Sequence, residues 1–246
     1  MRLFLVLFIW ALHLEAQELP QSFSLRPNFD QWMPVIRNQG HRLACDAFTI
    51  ASIVEYECHA QGDIAVLSPE FLEWATGEWS HDLRDRKGYA TMIMVKALNK
   101  YGICTEAMMP YDHVKWPNNE VLTNARSRAT GVVTWLTKTC EYSAIGKGFT
   151  QQEIDSICST VSHGHPVLVD MQWPSKPVFT NKVLHLSASP NTRYGHTMAA
   201  VGYDRVAGVI VFRNSWGSGW GDRGYIGVTF EYLRAKGAQA LTIEFP

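Results

Sequence analysis

Helical patterns dominate the first half of this 246-residue chain, and strand patterns dominate the second. Apolar residues recur at helical spacing over residues 44–60 and 90–101, and Gly102 suits the end of the second pattern. Ser68-Pro69-Glu70 and Thr150-Gln-Gln-Glu153 are typical helix starts. Short β-branched or aromatic runs occupy residues 166–171, 197–203, 208–212 and 225–230. This segregation predicts an α+β protein, in which a helical part packs against an antiparallel sheet or barrel.

Composition and charge limit the classes of protein to consider. The chain is 46% hydrophobic and 18% charged, which suits one globular domain with a sizeable core and excludes a disordered chain. Its formal net charge is -1, so nothing in the balance supports binding to nucleic acid, which normally requires a basic face.

The first 16 residues have the pattern of a secretory signal peptide. Arg2 gives a positive start, an apolar run extends from Leu3 to Leu12, and Ala16 is a small residue at the expected cleavage point. The run is too short to span a bilayer, which takes about 20 residues; a buried N-terminal helix is the alternative. We therefore expect an exported protein, extracellular or periplasmic, whose mature domain of residues 17–246 has no membrane segment.

Cys45 differs from the other four cysteines in its position. It lies at the start of the 44–60 helix, where the partial positive charge of a helix N-terminus stabilises a thiolate. Export would bring the chain into an oxidising compartment, where disulfides form. The other cysteines could then pair in any of three ways, and the sequence does not choose among them. These four are Cys58, Cys104, Cys140 and Cys158.

Three separated motifs contain candidates for a cysteine nucleophile and its partners. Pro34-Val-Ile-Arg-Asn-Gln-Gly40 precedes Ala44-Cys45-Asp46-Ala47-Phe48, and Gly195-His196-Thr-Met-Ala-Ala-Val-Gly-Tyr203 and Arg213-Asn214-Ser-Trp-Gly-Ser-Gly-Trp-Gly-Asp-Arg-Gly-Tyr225 follow later. In this order they resemble the active-site segments of papain-family cysteine peptidases, and the likeness covers roughly residues 22–230. The resemblance implies a two-lobed fold, with a helical N-terminal lobe packed on an antiparallel, β-barrel-like C-terminal lobe.

The resemblance implies a role for each candidate. Cys45 would be the nucleophile, and His196 would form a thiolate–imidazolium pair with it and later protonate the leaving amine. Asn214 would orient the His196 ring, and Trp216 would cover the hydrogen bond between them. Gln39 would donate its side-chain amide to the oxyanion, beside the backbone N–H of Cys45.

The resemblance also implies a substrate cleft. Gly88, which has no Cβ, would let a substrate backbone approach closely. Ala90 and Thr197, with Val167 as a further candidate, would line the pocket for the second residue upstream of the scissile bond. That pocket is apolar in the family, which favours a medium-sized apolar side chain. No metal or organic cofactor is implied.

Several residues depart from the family's pattern. Arg42 replaces a disulfide cysteine, and a gap-free alignment puts the position of its partner at Asp85, so an Arg42–Asp85 ion pair is one expectation. Leu43 and Lys87 replace cleft glycines, and their side chains would narrow the cleft. Asp46 replaces a tryptophan beside the nucleophile. A carboxylate suits a helix N-terminus but opposes thiolate formation, and the sequence does not decide which effect wins.

The function predicted from these residues is an exported thiol hydrolase that cleaves peptide bonds through a thioester acyl-enzyme. Its partner would be a peptide or protein substrate. An acyl transferase or deamidase with the same triad is one alternative, and a non-catalytic binding protein of the same fold is another. Few residues separate the predicted cleavage point from Cys45, so we expect no propeptide within the chain. Its activity would then be restrained by a narrowed cleft or by a separate inhibitor or immunity-type partner.

Overall fold

The computed structural model describes residues 18–81, 90–112, 116–129, 131–137, 148–187 and 192–244. The helices are α1 (Arg26–Trp32), α2 (Cys45–Ala60), α3 (Pro69–Ser80), α4 (Thr91–Tyr101), α5 (Asn119–Arg126), α6 (Gln151–Ser162) and α7 (Phe230–Lys236). The strands are β1 (Ser22–Ser24), β2 (Val132–Trp135), β3 (Val167–Pro174), β4 (Phe179–Thr180), β5 (Val183–Leu184), β6 (Thr192–Asp204), β7 (Val209–Arg213), β8 (Tyr225–Thr229) and β9 (Gly237–Glu244). The expected signal peptide and the positions Asp85, Lys87, Gly88 and Cys140 lie outside the described residues.

The strands form one sheet in the order β2-β9-β3-β6-β7-β8-β5-β4, with β1 paired to β6. All neighbouring pairs are antiparallel except β5 and β8. Strand β6 pairs with β1, β3 and β7 and carries His196 at its buried centre. A mostly antiparallel sheet packed against helices confirms the predicted α+β fold.

Helix α2 lies between the sheet and the other N-terminal helices, since it packs against β3, β6 and β9 as well as α1, α3 and α4. The sequence predicted one apolar stripe, but every α2 residue from Asp46 to Cys58 is buried except Ser52. Two acidic side chains are buried with partners from elsewhere: Glu55 pairs with Arg37 at 2.9 Å and Glu57 with His165 at 3.0 Å. Contact on all sides therefore overrides the helix's amphipathic pattern.

The hydrophobic core has two parts of unequal size. The larger part joins α1, α2 and α6 to the sheet. The smaller part lies among α3, α4 and α5, where Phe71, Ala97 and Ala125 are fully buried. Among the described helices, none combines the length and apolar character needed to cross a bilayer.

Candidate active site

Cys45 is the first residue of α2 and is half-buried. Residue Ala44 occupies the N-cap and offers no side-chain cap to the helix. The first backbone N–H groups of α2 therefore remain available near the sulfur of Cys45, where they favour negative charge.

His196 is held by Asn214, which directly follows β7. The Nε2 atom of His196 lies 2.9 Å from Oδ1 of Asn214, and the same oxygen accepts the backbone N–H of Ser215 at 2.8 Å. A backbone N–H can only donate, so this contact identifies the Asn214 atom as the amide oxygen. In the neutral ring Nε2 then carries the hydrogen, and Nδ1 is free to accept a proton.

Trp216 covers the His196 ring. Their ring centroids are 4.5 Å apart and their planes differ by 24°, a stacked arrangement. Trp173 meets His196 edge-on at 5.1 Å, and Trp220 meets Trp216 edge-on at 4.9 Å. The sequence interpretation included Trp216 but missed Trp173. The register pairs Met171 of β3 with His196, which puts Trp173 on the same face of the sheet two residues further along.

Burial opposes the charged forms of both proposed reacting groups. Burial lowers the pKa of His196 to about 4, whereas the hydrogen bond that His196 donates to Asn214 raises it. Burial also raises the pKa of the Cys45 thiol well above its ordinary value, and the nearby carboxyls of Asp46 and Asp170 raise it further. The backbone and hydroxyl groups of Thr197 lie close enough to lower it. Burial therefore disfavours the charged form of each group taken singly, and the thiolate–imidazolium pair stays a prediction.

Gln39 is buried beside the Asn214 segment. Its Oε1 accepts the Ser215 hydroxyl at 2.6 Å, and its Nε2 donates to the backbone oxygen of Arg42 at 2.9 Å. The Tyr111 hydroxyl donates to the Gln39 carbonyl at 2.8 Å. An amide NH₂ has two hydrogens, so one hydrogen of Nε2 is left for a ligand in the cleft.

Two carboxyl groups lie beside Ala90 and Thr197, the residues that the sequence predicts to line an apolar substrate pocket. Ala90 is half-buried and forms the N-cap of α4, and the next residue, Thr91, is buried. Thr91 and Thr197 each hydrogen-bond to both Asp46 and Asp170. Asp46 is therefore buried among these hydroxyls, and its carboxyl contributes to the raised pKa of Cys45. Val167 is fully buried in the core.

Arg42 forms its ion pair with Glu70. Its two Nη atoms contact the two carboxylate oxygens of Glu70, and Nη1 also lies 3.4 Å from Asp112. The guanidinium carbon stands 4.6 Å from the centroid of the Tyr111 ring. Because Asp85 is outside the described residues, the Arg42–Asp85 pair stays a prediction.

The remaining described cysteines are buried free thiols, so none of them pairs with another: Cys58, Cys104 and Cys158. In the described ranges, no three His, Cys, Asp or Glu side chains converge in a way that could hold a metal ion. Leu43 is exposed at the turn before α2.

Comparison with known proteins agrees with this geometry. The model of the papain family of cysteine proteases matches residues 19–237. The chain belongs to the papain family. A peptidase C1-like protein of Acanthamoeba polyphaga mimivirus, itself uncharacterized, is 27% identical over 211 residues, which is 80% of this chain and 64% of that protein. This papain-family chain thus spans less than two thirds of that relative's length.

Solved structures show the same fold. Xylellain, a cysteine protease from Xylella fastidiosa, superimposes with a TM-score of 0.72 at 20% identity, covering 93% of this chain and 87% of that chain. The Carica candamarcensis cysteine protease CMS1MS2, in complex with E-64, gives a TM-score of 0.64 at 20% identity, covering 92% of this chain and 99% of that chain.

Proposed function

We propose that this chain hydrolyses peptide bonds through a thioester on Cys45. The observation that carries the proposal is the held histidine: Asn214 fixes the tautomer and orientation of His196 under Trp216, on the strand that faces the start of α2. The residue after His196, Thr197, contacts Asp46 beside Cys45, so the strand brings a fixed imidazole towards the cysteine that needs a base.

The first step starts from the neutral thiol and the neutral imidazole, the forms that burial of each group favours. The Cys45 thiol passes its proton to Nδ1 of His196 as the sulfur attacks the substrate carbonyl carbon, which makes the C–S bond and a tetrahedral oxyanion. The free hydrogen of Gln39 Nε2 and the backbone N–H of Cys45 donate to that oxyanion. Charge then develops only as the oxyanion forms, where Gln39 and the backbone N–H of Cys45 stabilise it, because burial disfavours charge on the free thiol and imidazole.

The second half releases the products. The tetrahedral intermediate collapses, the C–N bond breaks, and His196 gives its proton to the leaving amine, which leaves a thioester on Cys45. Water then attacks the thioester while His196 takes its proton, the C–S bond breaks, and His196 returns the proton to the sulfur of Cys45 as the carboxylic acid product leaves. The substrate class is a peptide or protein.

Covalent labelling, followed by mapping of the labelled residue, tests whether Cys45 is an activated nucleophile. The purified protein is treated with iodoacetamide or with E-64, and the adduct is located by mass spectrometry beside a Cys45→Ala control. We expect Cys45 to react faster than Cys58, Cys104 and Cys158, which are buried. Equal reaction at all four thiols would overturn the activated nucleophile.

Cleavage of a peptide library tests the reaction. Cleavage that disappears in Cys45→Ala is the expected result. Labelling of Cys45 without cleavage of any peptide would show that hydrolysis of peptides is the wrong reaction for this site. Export is part of the same proposal, and it predicts that the secreted protein begins near Gln17.

A further inference from the structure

Four side chains form a closed set of contacts beside Cys45. Asp46 comes from α2, Thr91 from α4, Asp170 from β3 and Thr197 from β6. The Thr91 hydroxyl lies 2.8 Å from both Asp46 Oδ1 and Asp170 Oδ2. The Thr197 hydroxyl lies 2.6 Å from Asp170 Oδ1 and also contacts Asp46 Oδ1. We call these four residues the carboxyl ring.

The carboxyl ring has more contacts than hydroxyl hydrogens. Each threonine hydroxyl has one hydrogen to donate, while an ionised carboxylate has none. Two hydroxyls can therefore satisfy only two of the four contacts, and the others would bring oxygen lone pairs together. A proton on one carboxyl satisfies a third contact, and a proton on each closes all four into a ring of hydrogen bonds.

The surroundings of the ring agree with this count. Asp46 is buried and Asp170 is half-buried, so burial penalises two negative charges at hydrogen-bonded distance from the same hydroxyls. Gln239 of β9 donates to Asp170 but brings no charge. In the part of the chain that the structure describes, neither Asp46 nor Asp170 has an ion pair with a basic side chain.

The remaining charged or titratable neighbours do not supply a positive charge. From α3, Glu73 acts on the same region, and its own pKa rises to about 8 because of burial, in spite of Arg42 nearby. Arg42 is itself paired with Glu70. His196, on the same strand as Thr197, is kept neutral by burial.

The carboxyl ring lies close enough to the sulfur of Cys45 for charges in the ring to act on it. Asp46 is the next residue on α2, and Thr197, which contacts both carboxyls, also lies against the sulfur. A second negative charge in the ring would therefore act on Cys45 at short range through a buried region of low dielectric constant.

We propose that Asp46 and Asp170 hold at least one proton between them in the active enzyme, and that loss of this proton as the pH rises suppresses ionisation of Cys45. Both are positioning residues, since they act through Cys45 and do not touch the substrate bond. The effect on catalysis rests on the proposed function of Cys45, whereas the bound proton does not. Burial and Asp170 raise the pKa of Asp46 to about 7, so the change falls near neutral pH.

The first test measures the rate of Cys45 alkylation by iodoacetamide against pH, in the wild type and in Asp46→Asn. Below about pH 6 both proteins carry one negative charge in the ring at most, and their rates should agree within about twofold. At about pH 8 the wild type carries two charges and the variant one, so the variant should react about tenfold faster.

Two further variants make this test specific. Glu57→Gln removes a carboxylate from the far end of the same helix, where Glu57 pairs with His165, and should follow the wild type at every pH. Asp170→Asn removes the other ring carboxyl and should repeat the divergence, which keeps the test valid if Asp46→Asn does not fold. Wild-type and ring-variant profiles that stay parallel across the pH range would overturn the proposal.

The second test detects the proton itself in a Cys45→Ala background, so it does not depend on the reaction. Infrared difference spectra compare this protein with one that also carries Asp46→Asn and Asp170→Asn. A carboxylic acid C=O band that belongs to the ring, present below neutral pH and lost above it, is expected. Both proteins also carry Glu73→Gln, because the Asp46 carboxyl raises the pKa of Glu73 and the Glu73 band would otherwise differ between them. Absence of this band would refute the shared proton, and labelling of Cys45 would not be affected by that result. A band without any Cys45 reactivity would instead refute the proposed hydrolase.

Discussion

The indole of Trp216 lies flat on the imidazole of His196, with the ring centroids 4.5 Å apart. Trp173 and Trp220 hold it there, at centroid distances of 5.6 Å and 4.9 Å. The stack covers the bond from His196 Nε2 to Asn214 Oδ1, which is worth more away from water than in it. We therefore expect Trp216 to position His196.

Replacing Trp216 should reduce catalysis more than substrate binding. In Trp216→Ala, water reaches the His196–Asn214 hydrogen bond, so the ring loses its fixed orientation. We expect kcat on a cleaved peptide to fall about 10- to 100-fold, with a smaller change in KM. Trp216→Phe keeps part of the ring that covers His196, so its kcat should lie between the kcat of the wild type and that of Trp216→Ala.

Trp116 is a matched control for this experiment because it is a tryptophan with 65% of its surface exposed. Trp116→Ala should leave kcat unchanged. If Trp216→Ala raises KM and leaves kcat intact, Trp216 contacts the substrate and does not position His196.

Gln39, the proposed oxyanion donor, depends on the Ser215 side chain for its position. Gln39→Ala removes a donor and should lower kcat about 100- to 1,000-fold. Ser215→Ala removes the hydroxyl that donates to Gln39 Oε1, so the donor stays but its position loosens; a loss of about 3- to 10-fold is expected. Ser218→Ala, on the exposed part of the same loop, should have no effect on peptide cleavage rates. Equal losses in the Gln39 and Ser215 variants would contradict this order.

Local sequence signals predicted many of the elements correctly. Ser68 caps α3 by accepting the backbone N–H of Phe71 at 3.0 Å, and Thr150 and Glu153 form the predicted capping box of α6. The sequence assigned Phe230 to the end of a strand, but Thr229 caps a new helix there, α7. A strand residue with capping chemistry gives two local signals, and packing of α7 on the sheet decides between them.

The carboxyl ring could not be predicted in the same way. Asp170 and Thr197 meet because they are opposite each other in the β3–β6 register, and a shift of one residue would turn either to the other face. Asp46 joins them only because α2 crosses β6 at this point. Contacts of this kind depend on register and helix placement, which the spacing of residues along the chain does not contain.

The pKa of His196 can be measured once the cysteine is removed. In Cys45→Ala, burial should hold the pKa of His196 at about 4, and NMR of the ring nitrogens should show hydrogen on Nε2 and none on Nδ1 at neutral pH. A value near the ordinary 6.5 would show that the ring is solvated. Because the folded pKa is depressed, the stability gained from burying neutral His196 is present above about pH 6.5 and is lost as the pH falls towards the folded pKa. Urea unfolding at a series of pH values should follow this direction.

The Arg42–Glu70 pair should be essential to folding stability where exposed pairs are not. Its side chains are only 11% and 8% exposed, and Glu70 would be left as an uncompensated buried charge without Arg42. We expect Arg42→Met to lower the free energy of unfolding by about 3–5 kcal/mol, measured by urea denaturation. Arg42→Met with Glu70→Met should recover most of that loss, because no buried charge remains.

Lys182 and Asp222 provide the matched exposed pair, at 2.8 Å with side chains 57% and 38% exposed. Lys182→Met should change the free energy of unfolding by less than about 1 kcal/mol, because water screens both charges. The backbone oxygen of Arg42 also accepts Gln39 Nε2, so a loosened Arg42 should lower kcat as well as stability. A double variant that regains stability without regaining kcat would assign that loss to the Arg42 side chain and the turn it holds. Equal destabilisation by Arg42→Met and Lys182→Met would contradict the buried-pair account.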